Sequence, residues 1–181
     1  MSKKSLKTFL ESVPVVTRIP MKPNMFTFGH LNNCEYFRFQ ESAMHNYHSA
    51  MCAEINTIDA ERILGFDDAA FINGTGHGPI IAETHCKFKF AVTFPDVLLV
   101  GSTVTSLAAD RFVMQHTCWS LRHERVVSTG AGIIVTVDYS KEGKKCDIHP
   151  ALPKGIESLE KRDSGGALEE FQVFLKLAKF E

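Results

Sequence analysis

Gly29-His30-Leu31-Asn32-Asn33-Cys34-Glu35-Tyr36 is the stretch whose reading decides the fold. Its glycine ends a loop that starts near Met21 and contains Pro23. Asn32 or Asn33 then supplies a helix N-cap, because a short polar side chain can accept a first-turn N–H. The helix is predicted over about Cys34 to Ile55. Phe37, Met44 and Met51 recur every seven residues, and Tyr47 and Ile55 fill the same stripe. Glu41 stands four residues after Phe37 and three before Met44, so the periodicity puts a carboxylate on that apolar stripe. Loss of hydration there would make it a stronger base.

Working outward, Ser2 to Ser12 mixes Lys3, Lys4 and Lys7 with Leu6, Phe9 and Leu10, a short amphipathic helix. No apolar run follows it, so it does not read as a secretory signal. A mitochondrial presequence is the weaker alternative, since Glu11 intrudes and no arginine precedes Arg18. Pro14 and Pro20 bracket a strand, Val15 to Ile19. Beyond the long helix, Asp59 to Leu64 reads as a further helical turn or two, and Asn73 to Pro79 as a glycine-rich loop. Strands follow. Ile80 to Ala91 alternates, with Ile80, Ala82, Thr84, Cys86, Phe88 and Phe90 on one side and Glu83, His85, Lys87 and Lys89 on the other. Val97–Leu107, Phe112–Leu121 and Val126–Asp138 are three more strands. Helices are predicted over Pro153–Arg162 and Leu168–Phe180.

A strand, a long helix and then an antiparallel meander imply an α+β fold with the helix covering one sheet face. The chain has 181 residues, 44% hydrophobic and 23% charged, which suits one soluble domain. We divide it into an N-terminal helix (1–13), a core (14–140) and a C-terminal helical extension (141–181). A net charge of −1 gives no basic field for nucleic acid. No run reaches the roughly 18 apolar residues of a membrane span. The five cysteines are odd in number, widely spaced and without C-x-x-C, which predicts buried free thiols in a reducing, cytoplasmic setting.

The opening motif, with Tyr36 and with Glu41 eight residues after Asn33, resembles the G-H-(V/L)-N-N-x-x-Y-x-x-x-x-E pattern of the 4-hydroxybenzoyl-CoA thioesterase-like hotdog proteins. The likeness runs on through Gly78-Pro79-Ile80-Ile81, Cys86-Lys87-Phe88, Pro95-Asp96 and Leu99-Val100-Gly101, and covers about residues 15 to 140. It implies a hotdog fold, a long central helix wrapped by a curved antiparallel sheet. It also implies hydrolysis of acyl-CoA or related thioesters without metal or other cofactor. A homodimer or homotetramer follows from it, with sheets paired edge to edge and the site built across that interface.

A helix N-terminus offers unpaired N–H groups that can stabilise an oxyanion. The expected catalytic residues are therefore Glu41, His30 and Asn33, with Asn24, Gly29, Asn32 and Tyr36 contacting substrate. Two positions depart from the pattern. Many relatives carry an Asp four residues before the motif histidine, and a second acid six before; here these are Phe26 and Asn24. Neither can act as a base, which supports a rival reading: a non-catalytic hotdog protein that binds an acyl ligand or serves as a structural subunit. A dehydratase is disfavoured because its Asp and His motif is not apparent. His45 and His48, three apart on the helix, lack a third metal ligand and read as solvent-facing or dimer-contact residues.

Overall fold

Asn32 caps the helix around which everything else is arranged, its Oδ1 accepting the Cys34 N–H at 2.9 Å. The computed structural model describes residues 5–162. In chain order its elements are α1 (Leu6–Leu10), β1 (Val15–Pro20), β2 (Phe26–Thr27), β3 (His30–Leu31), α2 (Asn33–Ile58) and α3 (Asp68–Asn73). These are followed by β4 (His77–Phe88), β5 (Val97–Leu107), β6 (Arg111–Ser120), β7 (Arg125–Asp138), β8 (Lys144–Lys145) and α4 (Ala151–Lys161). The predicted helix at Leu168–Phe180 lies outside the described residues.

The main sheet has the order β1-β5-β6-β7-β4, with every pairing antiparallel, and β8 adds beside the end of β7. It curls around α2, giving the hotdog arrangement expected. Tyr36, Phe39, Gln40, Ala43, Met44, Tyr47, His48, Met51, Cys52 and Ile55 are the buried side of that helix. Their spacing of three and four is what a helix needs to lay one face on a sheet. From β6 they meet Phe112, Met114, His116 and Cys118, alternate residues of one pleated face. On the back of the sheet, α1 packs Phe9 on Trp119 with ring centroids 5.7 Å apart. Gly101 makes room for this, since a Cβ there would stand 2.7 Å from Val13.

At the far end of α2, α4 brings Leu152, Ile156 and Leu159 into the core. Each fully buried aliphatic side chain of this kind is worth roughly 1.5–3 kcal/mol. Gly155 lets the two helices touch, because a Cβ there would lie 2.5 Å from Ile55. Glu160 then locks the contact. Its carboxylate accepts the Tyr47 hydroxyl at 2.6 Å, the Thr103 hydroxyl at 2.7 Å and the Val104 N–H at 2.7 Å.

Several expectations need correction. The loop from Met21 to Gly29 contains a two-residue hairpin between β2 and β3, with Phe28 at φ 51° and Gly29 at φ 79°. Two successive left-handed residues fit the right-handed twist of the flanking strands. Asp59–Leu64 is not helical. Asp59 folds it into a turn by accepting the N–H groups of Ile63 and Leu64. The extra helix comes later, at α3, capped by Asp67. Strand β4 starts three residues early and stops at Phe88, and its alternation breaks at a bulge between Ile81 and Glu83. Ile81, opposite Ile134, therefore shares the helix-facing side with Thr84, and Ile80 does not. Among the described residues no helix is long and apolar enough to cross a membrane.

Candidate active site

The structure places four of the predicted site residues in two hollows along α2. His30, Asn33 and Tyr36 line the first, a cavity of about 380 Å³ at the start of the helix, with Phe88, Lys89, Phe90 and Ala91. Glu41 lines the second, a cavity of about 220 Å³ between α2 and the inner face of β4 and β7. Eight residues of helix, about 12 Å, separate Asn33 from Glu41.

In the first hollow, His30 Nδ1 donates to the Leu31 carbonyl at 3.0 Å. That bond selects the tautomer in which Nε2, turned away from it, is the acceptor. It suits a water or an amide N–H better than a carbonyl oxygen. Asn33 is the first helical residue, so its N–H has no acceptor within the helix. Tyr36 is buried with its ring edge-on to Phe88, 5.2 Å between centroids, and burial pushes its hydroxyl above the ordinary tyrosine range. Asn32 is occupied in capping. Gly29 is exposed at the hairpin tip, and Asn24 is exposed in a single 3-10 turn outside both hollows. Phe26, in the position where an acid was expected, packs edge-on against Phe94 at 5.7 Å.

Glu41 is not on the buried stripe. It is exposed, as is its neighbour Phe37 (37%), because the true stripe runs through Tyr36, Phe39 and Gln40. Desolvation by its own chain therefore does not apply. Arg38 pairs with Glu35 at 3.2 Å and leaves Glu41 at the cavity mouth.

Sequence reasoning missed the polar groups deeper in that cavity. Gln40 is 3% exposed, and its amide is packed over Gly130 beside the Cys86 thiol. Its Oε1 accepts weakly from the Thr84 hydroxyl at 3.4 Å. His116, 4% exposed, lines the cavity, with Nδ1 held 2.9 Å from the buried Ser102 hydroxyl. Burial brings its imidazole down to about 4, so it is neutral near pH 7. The legible signal was the pair Gly130 and Gly132 inside β7, since glycines within a strand mark a close approach or an opening.

His48 also needs correction. It is fully buried, edge-on to Phe71 at 5.5 Å and to Phe112 at 5.8 Å, not solvent-facing. The cysteines are free, but Cys34 is exposed, against the expectation of burial. Burial pushes the Cys118 thiol up to about 12, which removes it as a nucleophile. Among the described residues no group of three or more His, Cys, Asp or Glu side chains is placed to hold a metal ion.

Fold and site together define a hotdog protein with hollows beside the edge strand β4. The chain belongs to the thioesterase-like superfamily, whose profile matches residues 25–156. Among solved structures it is similar to a thioesterase from Thermus thermophilus complexed with coenzyme A and Zn. The two are 19% identical, with 84% of this chain and 98% of that one covered and a TM-score of 0.65. It is also similar to Slr0204, a 1,4-dihydroxy-2-naphthoyl-CoA thioesterase from Synechocystis, at 14% identity, 81% and 98% coverage and a TM-score of 0.63. A DHNA-CoA thioesterase from Staphylococcus aureus is 16% identical, with 92% and 95% coverage and a TM-score of 0.59. These likenesses establish the fold. No curated protein matches the chain significantly.

Proposed function

We propose that the protein hydrolyses acyl-CoA or a related acyl thioester, with each site completed by a second copy of the chain. The observation that carries this reading is the placement of both hollows along α2 beside β4, a 12-residue strand paired, among the described residues, on one side only. Ile80 (46% exposed), Ile81 (39%) and Phe88 (42%) lie on that edge strand, and Phe37 faces out from α2 nearby. An open edge with this much apolar surface is a template for pairing with another copy. The 12 Å between Asn33 and Glu41 makes the same point chemically. One thioester carbonyl cannot sit on the helix N-terminus and within reach of Glu41 of the same chain. A second copy resolves this by bringing its Glu41 to the first copy's helix N-terminus.

In this reading the Asn33 N–H and the helix dipole stabilise the oxyanion as water adds to the carbonyl carbon. Glu41 takes the water's proton, the C–S bond breaks, and the thiol leaves protonated. His30 Nε2 accepts from an amide N–H of the thiol's arm. Lys89, lining the first hollow, supplies positive charge for a phosphorylated thiol.

Phe26, packed on Phe94, favours a second reading in which the same hollows hold an acyl ligand without turning it over. Thiol release from a panel of short, long and aromatic acyl-CoAs separates the two. Hydrolysis predicts release that falls by roughly 10²–10⁴-fold in Glu41→Ala. Absence of release across the panel would reject the enzyme.

A further inference from the structure

The cavity behind Glu41 does not end in solid core. Met44 forms part of its wall, and Met44 also lines a further cavity of about 310 Å³, with His48 of α2, Phe71 and Ile72 of α3 and Pro79 of β4. Among the described residues, Met44 is the one that both linings share. The two cavities follow one another along one groove. On α2 the lining runs from Phe37 and Glu41 through Met44 to His48, at spacings of three and four that keep one helical face. On β4 it runs the opposite way, from Thr84 through Ile81 to Pro79. From Glu41 to His48 the groove advances about 10 Å along the helix.

Met44 therefore stands as a partition between two spaces. The first, at about 220 Å³, is somewhat larger than the roughly 150 Å³ cavity that holds one benzene, which sets its capacity at about eight or nine non-hydrogen atoms. The second would more than double that capacity. Its inner end offers no fixed charge to repel an alkyl tail. Burial holds the His48 imidazole at about 3, so it is neutral near pH 7, and the Tyr139 hydroxyl is engaged with the Pro79 carbonyl at 3.0 Å. The partition itself is an unbranched thioether, 7% exposed, with neither a charge nor a strong hydrogen bond to fix it.

From this we infer that Met44 sets the length of the acyl chain, which is aliphatic and stops at the partition after about eight or nine non-hydrogen atoms. This rests on the thioesterase reading and adds a specificity-determining residue to it. In that reading Glu41 serves the thioester carbonyl, so the acyl chain enters the cavity behind that same Glu41 and runs inward to Met44. A smaller residue at this position joins the two cavities and admits a longer chain. A bulkier one shortens the limit.

The test compares butyryl-CoA, octanoyl-CoA, dodecanoyl-CoA and palmitoyl-CoA by thiol release. In parallel, the non-hydrolysable thioether analogue of each is titrated by calorimetry. In the wild type, octanoyl is expected to exceed dodecanoyl and palmitoyl by at least about tenfold in kcat/KM and in affinity. Met44→Ala is expected to raise the dodecanoyl-to-octanoyl ratio by at least about tenfold, and Met44→Phe to lower the octanoyl-to-butyryl ratio by a similar factor. Met44→Val removes less of the core and should move the limit in the same direction as Met44→Ala; it carries the comparison if the alanine variant does not fold. Met51→Val, a truncation of the same kind on the same helix outside both linings, should lower the thermal midpoint and leave the length profile unchanged. A wild type that handles dodecanoyl as well as octanoyl overturns the inference. So does a length profile that keeps its shape in the Met44 variants, or one that shifts equally in Met51→Val. Binding whose length limit moves with Met44, without thiol release, sustains it and overturns hydrolysis instead. No binding of any analogue overturns both.

Discussion

Gln40 and Gly130 share one space: the amide of the first rests where the second has no side chain, 2.3 Å from the Cβ that an alanine would bring. The His85 carbonyl stands 2.6 Å from the same point, so part of the obstruction is backbone and cannot rotate away. Gly130→Ala is expected to cost about 1–3 kcal/mol by overpacking. Two residues on, a Cβ at Gly132 meets only the Glu83 carbonyl at 3.4 Å and Ile134 at 3.7 Å. Gly132→Ala is therefore expected to be neutral or to stabilise by up to about 1 kcal/mol through the unfolded chain. Urea melts of the two variants read the contrast. Equal losses would contradict it.

The Glu160 carboxylate should prove costly to disturb from either side. Tyr47→Phe leaves one carboxylate oxygen with a single donor and removes a buried hydrogen bond to a charge, a loss of about 1.5–3 kcal/mol. Glu160→Ala also strips the partners of Thr103 and Val104 and is expected to lose more. The two changes share one network, so the double variant should lose less than their sum. Strict additivity in a double-mutant cycle would show that the hydroxyl and the carboxylate are not coupled.

Two buried imidazoles predict where acid unfolds the protein. Burial holds His116 at about 4 and, helped by His45 and His116, His48 at about 3, against 6.5 for a free side chain. Above pH 6.5 neither state takes up a proton at these sites, and they contribute no pH dependence. As pH falls from 6.5 towards 4 and 3, the unfolded chain binds protons that the folded one refuses, and stability declines. The decline is on the order of a few kcal/mol for each group. Asp138, held at about 2 by the hydroxyl and N–H of Ser140 and then by Lys141, acts below the free carboxylate value of 3.8, whereas Glu157, lowered by Lys161, and His149, lowered by burial, add to the two histidines between pH 6 and 4. His48→Leu should flatten the denaturation free energy across that window. An unchanged slope would count against burial as its cause.

If the site is shared between copies, defects in opposite halves should complement. Mixed, unfolded and refolded together, Glu41→Ala and His30→Ala chains form heterodimers in which one of the two sites has both residues intact. Random pairing should restore about a quarter of wild-type turnover, as expected of a two-fold arrangement. No recovery from a mixture that contains heterodimers would place both residues in one chain's site.

Much of the fold was legible because its signals are local. A cap residue, a helical period and alternating strands each depend on a few neighbours, and α2, β5, β6 and β7 emerged within a few residues of their predicted limits. The bulge in β4 was not legible, since nothing in Ile80-Ile81-Ala82 announces an extra residue; it is defined by the partner strand. Glu41 was misplaced for a related reason. A seven-residue repeat through Phe37 and Met44 competes with the stripe through Tyr36 and Phe39, and only packing against the sheet decides between them. His30, Asn33 and Tyr36 do come together, as the motif suggested. His116 and Ser102 meet across two strands, a juxtaposition of register that spacing along the chain does not reveal.

The tie between Tyr47 and Glu160 spans 113 residues, and a chain made from its N-terminus acquires the two ends at different times. At a synthesis rate of about 5–20 residues per second, the acid follows the tyrosine by roughly 6–23 seconds. Through that interval Met51 and Ile55 wait for Leu152, Ile156 and Leu159 with their apolar surfaces uncovered. Helix α4 thus acts as a seal whose late arrival sets how long the newborn chain must be kept from its neighbours.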